Sequence, residues 1–129
     1  MFTKERFLQP KILIVDDSSV SRMMIRGRVA GIQPAWEVIE AASGDEAVGM
    51  IEATRPDYIT MDVNMPGMSG FEAVEKIRKV DQNVKIVILT ANIQGSSRDK
   101  ARQLGVHFVQ KPATLAAVQQ AIDYFLSAP

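Results

Sequence analysis

The chain has 129 residues, 47% of them apolar and 23% charged, with fifteen Lys and Arg balancing fifteen Asp and Glu. That length suits one compact domain with a real core, and the balanced charge leaves no basic field to hold a nucleic acid or an anionic membrane. With no cysteine and one histidine, disulfides, zinc-thiolate sites, iron–sulfur clusters, thiol nucleophiles and multi-histidine metal sites are all excluded.

The N-terminal segment MFTKERFLQP lacks an apolar h-region and a small-residue cleavage site, so it does not read as a secretory signal. It is expected to be a short arm over residues 1–10, in which Phe2, Phe7 and Leu8 pack locally. No run approaches the ~18 apolar residues needed to span a bilayer. No repeat, low-complexity tract or linker interrupts the chain, so a single cytoplasmic domain over residues 1–129 is expected, with no nucleic-acid binding and no membrane insertion.

From Lys11 onward, short apolar or β-branched runs alternate with stretches of helical period, five of each. This alternation predicts an α/β fold: a doubly wound five-stranded parallel sheet with five helices. The run KILIV, Lys11 to Val15, is apolar throughout, as in a strand buried on both faces. Asp16, Asp17, Ser18 and Ser19 supply N-cap chemistry for a helix with Val20, Met24, Ile25 and Val29 inward, ended by Gly31 and Pro34. The second strand is expected from Trp36 to Ala41, with Trp36 packing at its start. Gly44-Asp45 opens a helix carrying Ala47, Val48 and Ile51, which Pro56 breaks. Tyr58 to Asp62 reads as strand three, MPGMSG as turn chemistry, and Phe71, Val74 and Ile77 as the stripe of a third helix. Lys85 to Thr90 is the strongest central strand. The fourth helix, Ser96 to Leu104, is weakly amphipathic, with Ala101 and Leu104 inward and Gly105 closing it. His107 to Gln110 forms a short fifth strand, and Leu115, Val118, Ala121, Ile122 and Phe125 mark a final helix.

Right-handed crossovers gather the C-terminal ends of all strands on one edge, where ligands collect in open α/β sheets. The residues there are Asp16 and Asp17 after strand one, Asp62 after strand three, Thr90 on strand four and Lys111 after strand five. Three carboxylates brought together repel unless a cation joins them. An all-oxygen set without His or Cys favours a hard ion such as octahedral Mg²⁺. Lys111 and the Thr90 hydroxyl suit the charge of a transferring phosphoryl group, and a carboxylate can serve as its nucleophile through an acyl phosphate.

Four segments stand in order with matching spacing: IVDDS at Ile14 to Ser18, MDVNMPGMSG at Met61 to Gly70, ILTA at Ile88 to Ala91 and VQKP at Val109 to Pro112. Together they resemble the bacterial two-component response-regulator receiver domain, of the single-domain, CheY-like kind, over roughly Lys11 to Leu126. The resemblance implies the flavodoxin-like strand order 2-1-3-4-5. It makes Asp62 the phosphoacceptor, loaded by a histidine kinase or phosphotransfer protein, so that the chain is a switch catalytic only on itself. It makes Asp17 a direct Mg²⁺ ligand, Asp16 a ligand through water, and the backbone carbonyl of Asn64 the last protein ligand. Thr90 would donate to the phosphoryl group and Lys111 would pair with it, across a cis Lys111-Pro112 peptide. Phe108 falls at the aromatic switch position, commonly Tyr, and so lacks a hydroxyl. Asn64 and Asn92 occupy the two positions that tune the phosphoryl lifetime, for which seconds to minutes is expected.

The same resemblance places the output face on helix four, strand five and helix five, around Ile93, Arg98, Arg102, Phe108 and Gln119, where a downstream target protein would read the state. The segment TANIQ, Thr90 to Gln94, is similar to chemotaxis-type receivers that work with dedicated phosphatases. Chemotaxis or flagellar control by a stand-alone receiver is therefore expected, against a phosphorelay intermediate or the receiver of a larger regulator. A dehalogenase-type phosphohydrolase would want an aspartate where Asn64 stands, and a flavodoxin would not place Asp16 and Asp17 against a flavin phosphate. His107 reads as a partly exposed strand residue, the seven methionines as core and turn fillers, and Arg22, Arg26 and Arg28 as a solvated helix face.

Overall fold

The computed structural model describes residues 9–91 and 95–128. The elements are β1 (Lys11–Val15), α1 (Ser19–Ile32), β2 (Glu37–Ala41), α2 (Gly44–Thr54), β3 (Tyr58–Met61), α3 (Gly70–Val80), β4 (Lys85–Thr90), α4 (Gly95–Gln103), β5 (His107–Gln110) and α5 (Leu115–Leu126). All strand pairs are parallel and the sheet order is β2-β1-β3-β4-β5, as the resemblance implied.

The continuous apolar strands are explained by a core on each face. Leu13, Val15, Ile59, Met61, Ile86 and Ile88 point into one core, closed by Ala47 and Ile51 of α2, Val74 and Ile77 of α3 and Ala101 of α4. Ile12, Ile14, Val87 and Leu89 point into the other, closed by Ile25 and Val29 of α1 and by Val118, Ala121, Ile122 and Phe125 of α5. Four helices begin on a hydroxyl cap: Ser18, Ser43, Ser69 and Thr114 each accept a backbone N–H of the first turn. Ser69 and Glu72 close a reciprocal capping box.

Several expected positions shift. Val20 is 59% and Met24 43% exposed, so neither faces inward. The buried stripe of α1 is Ile25 and Val29, and one turn earlier it continues as Ser21, a polar residue because that end overhangs the strand-end carboxylates. Leu115 is likewise exposed, at the first position of α5 and ahead of the buried stripe that starts at Ala117. Gly31 lies within α1, which runs to Ile32 and is capped by the Gln33 N–H on the Val29 carbonyl. Strand β2 begins at Glu37; Trp36 is buried just before it, its ring 4.8 Å from that of Tyr58 and tilted 33° to it. Strand β3 ends at Met61, one residue before Asp62. Among the described residues no helix is long and apolar enough to cross a membrane. The expected arm residues Phe2, Phe7 and Leu8 lie outside the described residues, as do Asn92, Ile93 and Gln94.

Candidate functional site: an acidic cleft at the strand ends

The edge of the sheet brings together the side chains of Asp16, Asp17, Asp62 and Lys111, with Thr90 at the end of the neighbouring strand β4. Asp16 leaves β1 with its N–H on the Ala41 carbonyl at 3.1 Å, and Asp62 leaves β3 with its N–H on the Val15 carbonyl at 3.0 Å. Both are therefore fixed by the sheet ladder itself. One carboxylate oxygen each from Asp16, Asp17 and Asp62 lies within 4.8 Å of the others. Asp16 is buried, Asp62 is 8% exposed and Asp17 faces solvent. Thr90 closes β4 fully buried, and its carbonyl accepts the Lys111 N–H at 2.9 Å.

The Lys111-Pro112 peptide is cis, and the Lys111 ammonium lies in the cleft. It donates to Asp16 Oδ2 at 2.7 Å and stands 3.6 Å from Asp62 Oδ2. Burial works against its charge, but the hydrogen bond to Asp16 and the charges of Asp62 and Asp16 outweigh it, and the lysine is held above its ordinary range. The Asp62 carboxyl is pushed up, chiefly by burial and further by the Asp16 charge, against the pull of Lys111 and of the backbone N–H groups of Val63 and Asn64. Three carboxylates facing one ammonium leave an excess of two negative charges when all are ionised. An all-oxygen cluster with that excess fits a hard divalent cation.

Five residues in and beside the cleft were not legible as site residues: Ser21, Arg22, Arg26, Glu40 and Gly70. Ser21 Oγ donates to Asp16 Oδ2 at 2.7 Å and accepts from Lys111 at 3.1 Å. Its place on the Ile25 and Val29 face is the signal that points to it. Arg22 Nη1 donates to the Asp16 carbonyl at 2.6 Å while its Nε donates to Glu40 at 2.9 Å. Arg26 reaches the other Glu40 oxygen at 2.6 Å. The bond from Arg26 and that from Arg22, with both guanidinium charges, outweigh burial and hold the Glu40 carboxyl below its ordinary range. Arg22 is thus withdrawn from the expected solvated face, Arg26 stays exposed on it while pairing with Glu40, and Arg28 Nε donates to the Ala113 carbonyl at 3.3 Å. Gly70 completes the set: a Cβ there would stand 2.1 Å from the Asp62 carbonyl oxygen.

Away from the cleft, Phe108 is half-buried against the first core, with the Arg98 guanidinium 5.9 Å above its ring. Arg98, Arg102, Phe108, Gln110 and Gln120 line part of a cavity of about 460 Å³ between α4, β5 and α5. Gln119 is exposed on α5, and His107 stacks on Tyr124 at 4.6 Å.

A buried carboxylate at the sheet edge of an open α/β domain, flanked by two further acids and a lysine, is a set of groups suited to a phosphoryl group. Residues 12–123 match the response regulator receiver domain family, and the chain belongs to it. The chain is 36% identical over 115 residues to "Chemotaxis protein CheY" of Thermotoga maritima, covering 88% of this chain and 94% of that protein. The fold is similar to that of the chemotaxis protein CheY4 of Vibrio cholerae, with a TM-score of 0.83, 30% identity and coverage of 92% of this chain and 99% of that one. A CheX-CheY-BeF3-Mg²⁺ complex from Borrelia burgdorferi gives a TM-score of 0.85 at 25% identity, covering 92% and 90%. As a receiver, the chain is a phosphorylation-operated signalling switch.

Proposed function

We propose that Asp62 is the phosphoacceptor of this switch and that Mg²⁺ is its cofactor. The observation that carries the reading is the convergence of Asp16, Asp17 and Lys111 on one nearly buried carboxylate. Asp17 would hold Mg²⁺ directly, Asp16 through water, and Asp62 and the Asn64 carbonyl would complete the protein ligands. When bound, the ion offsets the negative charge of the cleft and of the incoming phosphoryl group.

A carboxylate oxygen of Asp62 attacks the phosphorus of a phosphohistidine on a kinase or phosphotransfer protein. The new P–O bond forms as the P–N bond breaks, and the imidazole nitrogen departs with the electron pair. The Lys111 ammonium, 3.6 Å from Asp62, has only a short shift to make to pair with the transferred group. The Thr90 hydroxyl turns toward it as a donor. That movement of Thr90 vacates space for the Phe108 ring, and the altered face of α4, β5 and α5 around Arg98, Arg102 and Gln119 is read by a target protein.

Similarity to chemotaxis proteins supports a chemotaxis or flagellar output. The Borrelia burgdorferi complex, which pairs a CheY with CheX, supports a protein partner, a place we assign to a dedicated phosphatase. The chain then acts within the cytoplasm as one receiver domain and turns over no substrate but its own phosphodonor. The test is a decay assay in Mg²⁺ after loading from a small phosphodonor. An aspartyl phosphate decaying in seconds to minutes is expected; a half-life of many hours contradicts the role given to Asn64 and Asn92. Arg98→Glu and Arg102→Glu are expected to weaken target binding while leaving loading unchanged, and loss of loading overturns the output face.

A further inference from the structure

The Lys111 ammonium does not sit midway between the two buried carboxylates. It lies 2.7 Å from Asp16 Oδ2 and 3.6 Å from Asp62 Oδ2. Its third polar contact is Ser21 Oγ at 3.1 Å. The Ser21 hydroxyl has one proton, which goes to Asp16 Oδ2 at 2.7 Å, and its lone pair faces the ammonium. Asp16 Oδ2, Ser21 Oγ and Lys111 Nζ therefore form a closed triangle of three hydrogen bonds. The second oxygen, Oδ1, accepts the Ser18 N–H at 2.9 Å. Both oxygens of Asp16 are thus engaged, and the lysine rests nearer Asp16 than the nucleophile, with which it keeps a longer ion pair.

This arrangement sets two demands against each other. A divalent cation, or a water it carries, needs Asp16, and a phosphoryl group on Asp62 needs Lys111. Neither is served while the ammonium stays bonded to Asp16. We propose that Ser21 is a positioning residue that parks Lys111 on Asp16 in the unphosphorylated protein, so that a divalent cation binds by displacing the lysine toward Asp62. The inference rests on the Mg²⁺ reading of the cleft. Ser21 touches neither phosphoryl group nor cation; it acts through the two residues that do, and it stabilises only the unliganded arrangement.

Calorimetry of Mg²⁺ binding to the full chain, without phosphodonor, tests this. Ser21→Ala is expected to tighten Mg²⁺ about three- to ten-fold, the size of one ordinary net hydrogen bond lost from the unliganded state alone. Alanine favours α1, so the variant keeps its helix. Ser21→Thr, which keeps the hydroxyl, is expected to restore the wild-type affinity. In a Lys111→Met background, Ser21→Ala is expected to change nothing, since the parked group is gone. Unchanged or weaker binding in Ser21→Ala, or an effect that persists without Lys111, overturns the parking role while leaving the Mg²⁺ reading intact. A wild-type chain that binds no Mg²⁺ overturns both.

Discussion

Gly70 is where one methyl group tests how the phosphoacceptor is held. An alanine Cβ there would lie 2.1 Å from the Asp62 carbonyl oxygen and 2.9 Å from both Asp62 C and Val63 Cα. Ordinary carbon–oxygen approach is about 3.3 Å or more, so the chain must give by roughly 1 Å. All three opposing atoms are backbone, and none can rotate aside. They are tied by the Asp62 N–H on the Val15 carbonyl and by the Gly70 N–H on the Val63 carbonyl, each at 3.0 Å. Overpacking costs about 1 to 3 kcal/mol, and a rigid contact belongs at the upper end, about 3 kcal/mol. The same shift moves the Asp62 carboxylate relative to Lys111, and misplacement of about 1 Å costs on the order of 100-fold in rate. Urea unfolding reads the first effect, and the rate of adduct formation with acetyl phosphate reads the second. Gly27, exposed in mid-α1 with nothing within 4 Å of its Cβ position, is the control: Gly27→Ala should gain about 0.5 to 1 kcal/mol and leave the rate unchanged. If Gly70→Ala matches the wild type in both stability and rate, the close approach does not govern the loop and the reasoning fails.

Thr60 is buried on β3, and its hydroxyl has no hydrogen-bond partner among the described residues. Thr60→Val should therefore raise stability by about 1 kcal/mol, seen as a higher urea midpoint at constant slope; a loss would show that the hydroxyl is satisfied. Burial raises the Asp62 carboxyl in the folded chain, so the folded state holds this proton more tightly than the unfolded state does. The stability it contributes is complete below the ordinary aspartate range and is lost as pH rises through the higher folded value. Asp62→Asn, which cannot ionise, should melt above the wild type at neutral pH, and the gap should close on the acid side of the aspartate range; a lower melting point at neutral pH would contradict the shift. Lys85 Nζ donates to the carbonyls of Tyr124 at 3.5 Å, Phe125 at 3.2 Å and Ser127, capping the C-terminus of α5. Lys85→Met should cost about 1 to 2 kcal/mol and speed amide exchange in the last turn of α5; unchanged exchange would mean that water serves those carbonyls equally well.

The strand-end residues were legible because each follows an apolar run that only a buried strand explains, and parallel topology then leaves those ends no other place to meet. Asp16, Asp62, Thr90 and Lys111 needed no side-chain information. The register of α1 was less accessible. Val20 and Met24 compete with Ser21 and Ile25 for the inward stripe, and hydropathy favours the first pair. The second wins because Asp16 and Lys111 give Ser21 two partners at the end of the helix that overhangs the sheet. The pairing of Arg22 and Arg26 with Glu40 joins α1 to β2 across 18 and 14 residues of sequence, and periodicity says nothing of such pairs. That Lys111 lies nearer Asp16 than Asp62 depends on about 1 Å of side-chain placement, which motif spacing does not encode. The approach of Gly70 to Asp62 is hidden for a similar reason: MPGMSG reads as a turn whichever backbone atom the glycine faces.

The central claim is that Asp62 is the covalent nucleophile of the cleft. Intact mass after brief incubation with acetyl phosphate and Mg²⁺, with rapid quenching, tests it most directly on the wild type and on Asp62→Asn. A Mg²⁺-dependent gain of about 80 Da, one phosphoryl group, in the wild type and none in the variant is the predicted result. An adduct that survives in Asp62→Asn, or a wild type that gains no mass under rapid quench, would contradict it.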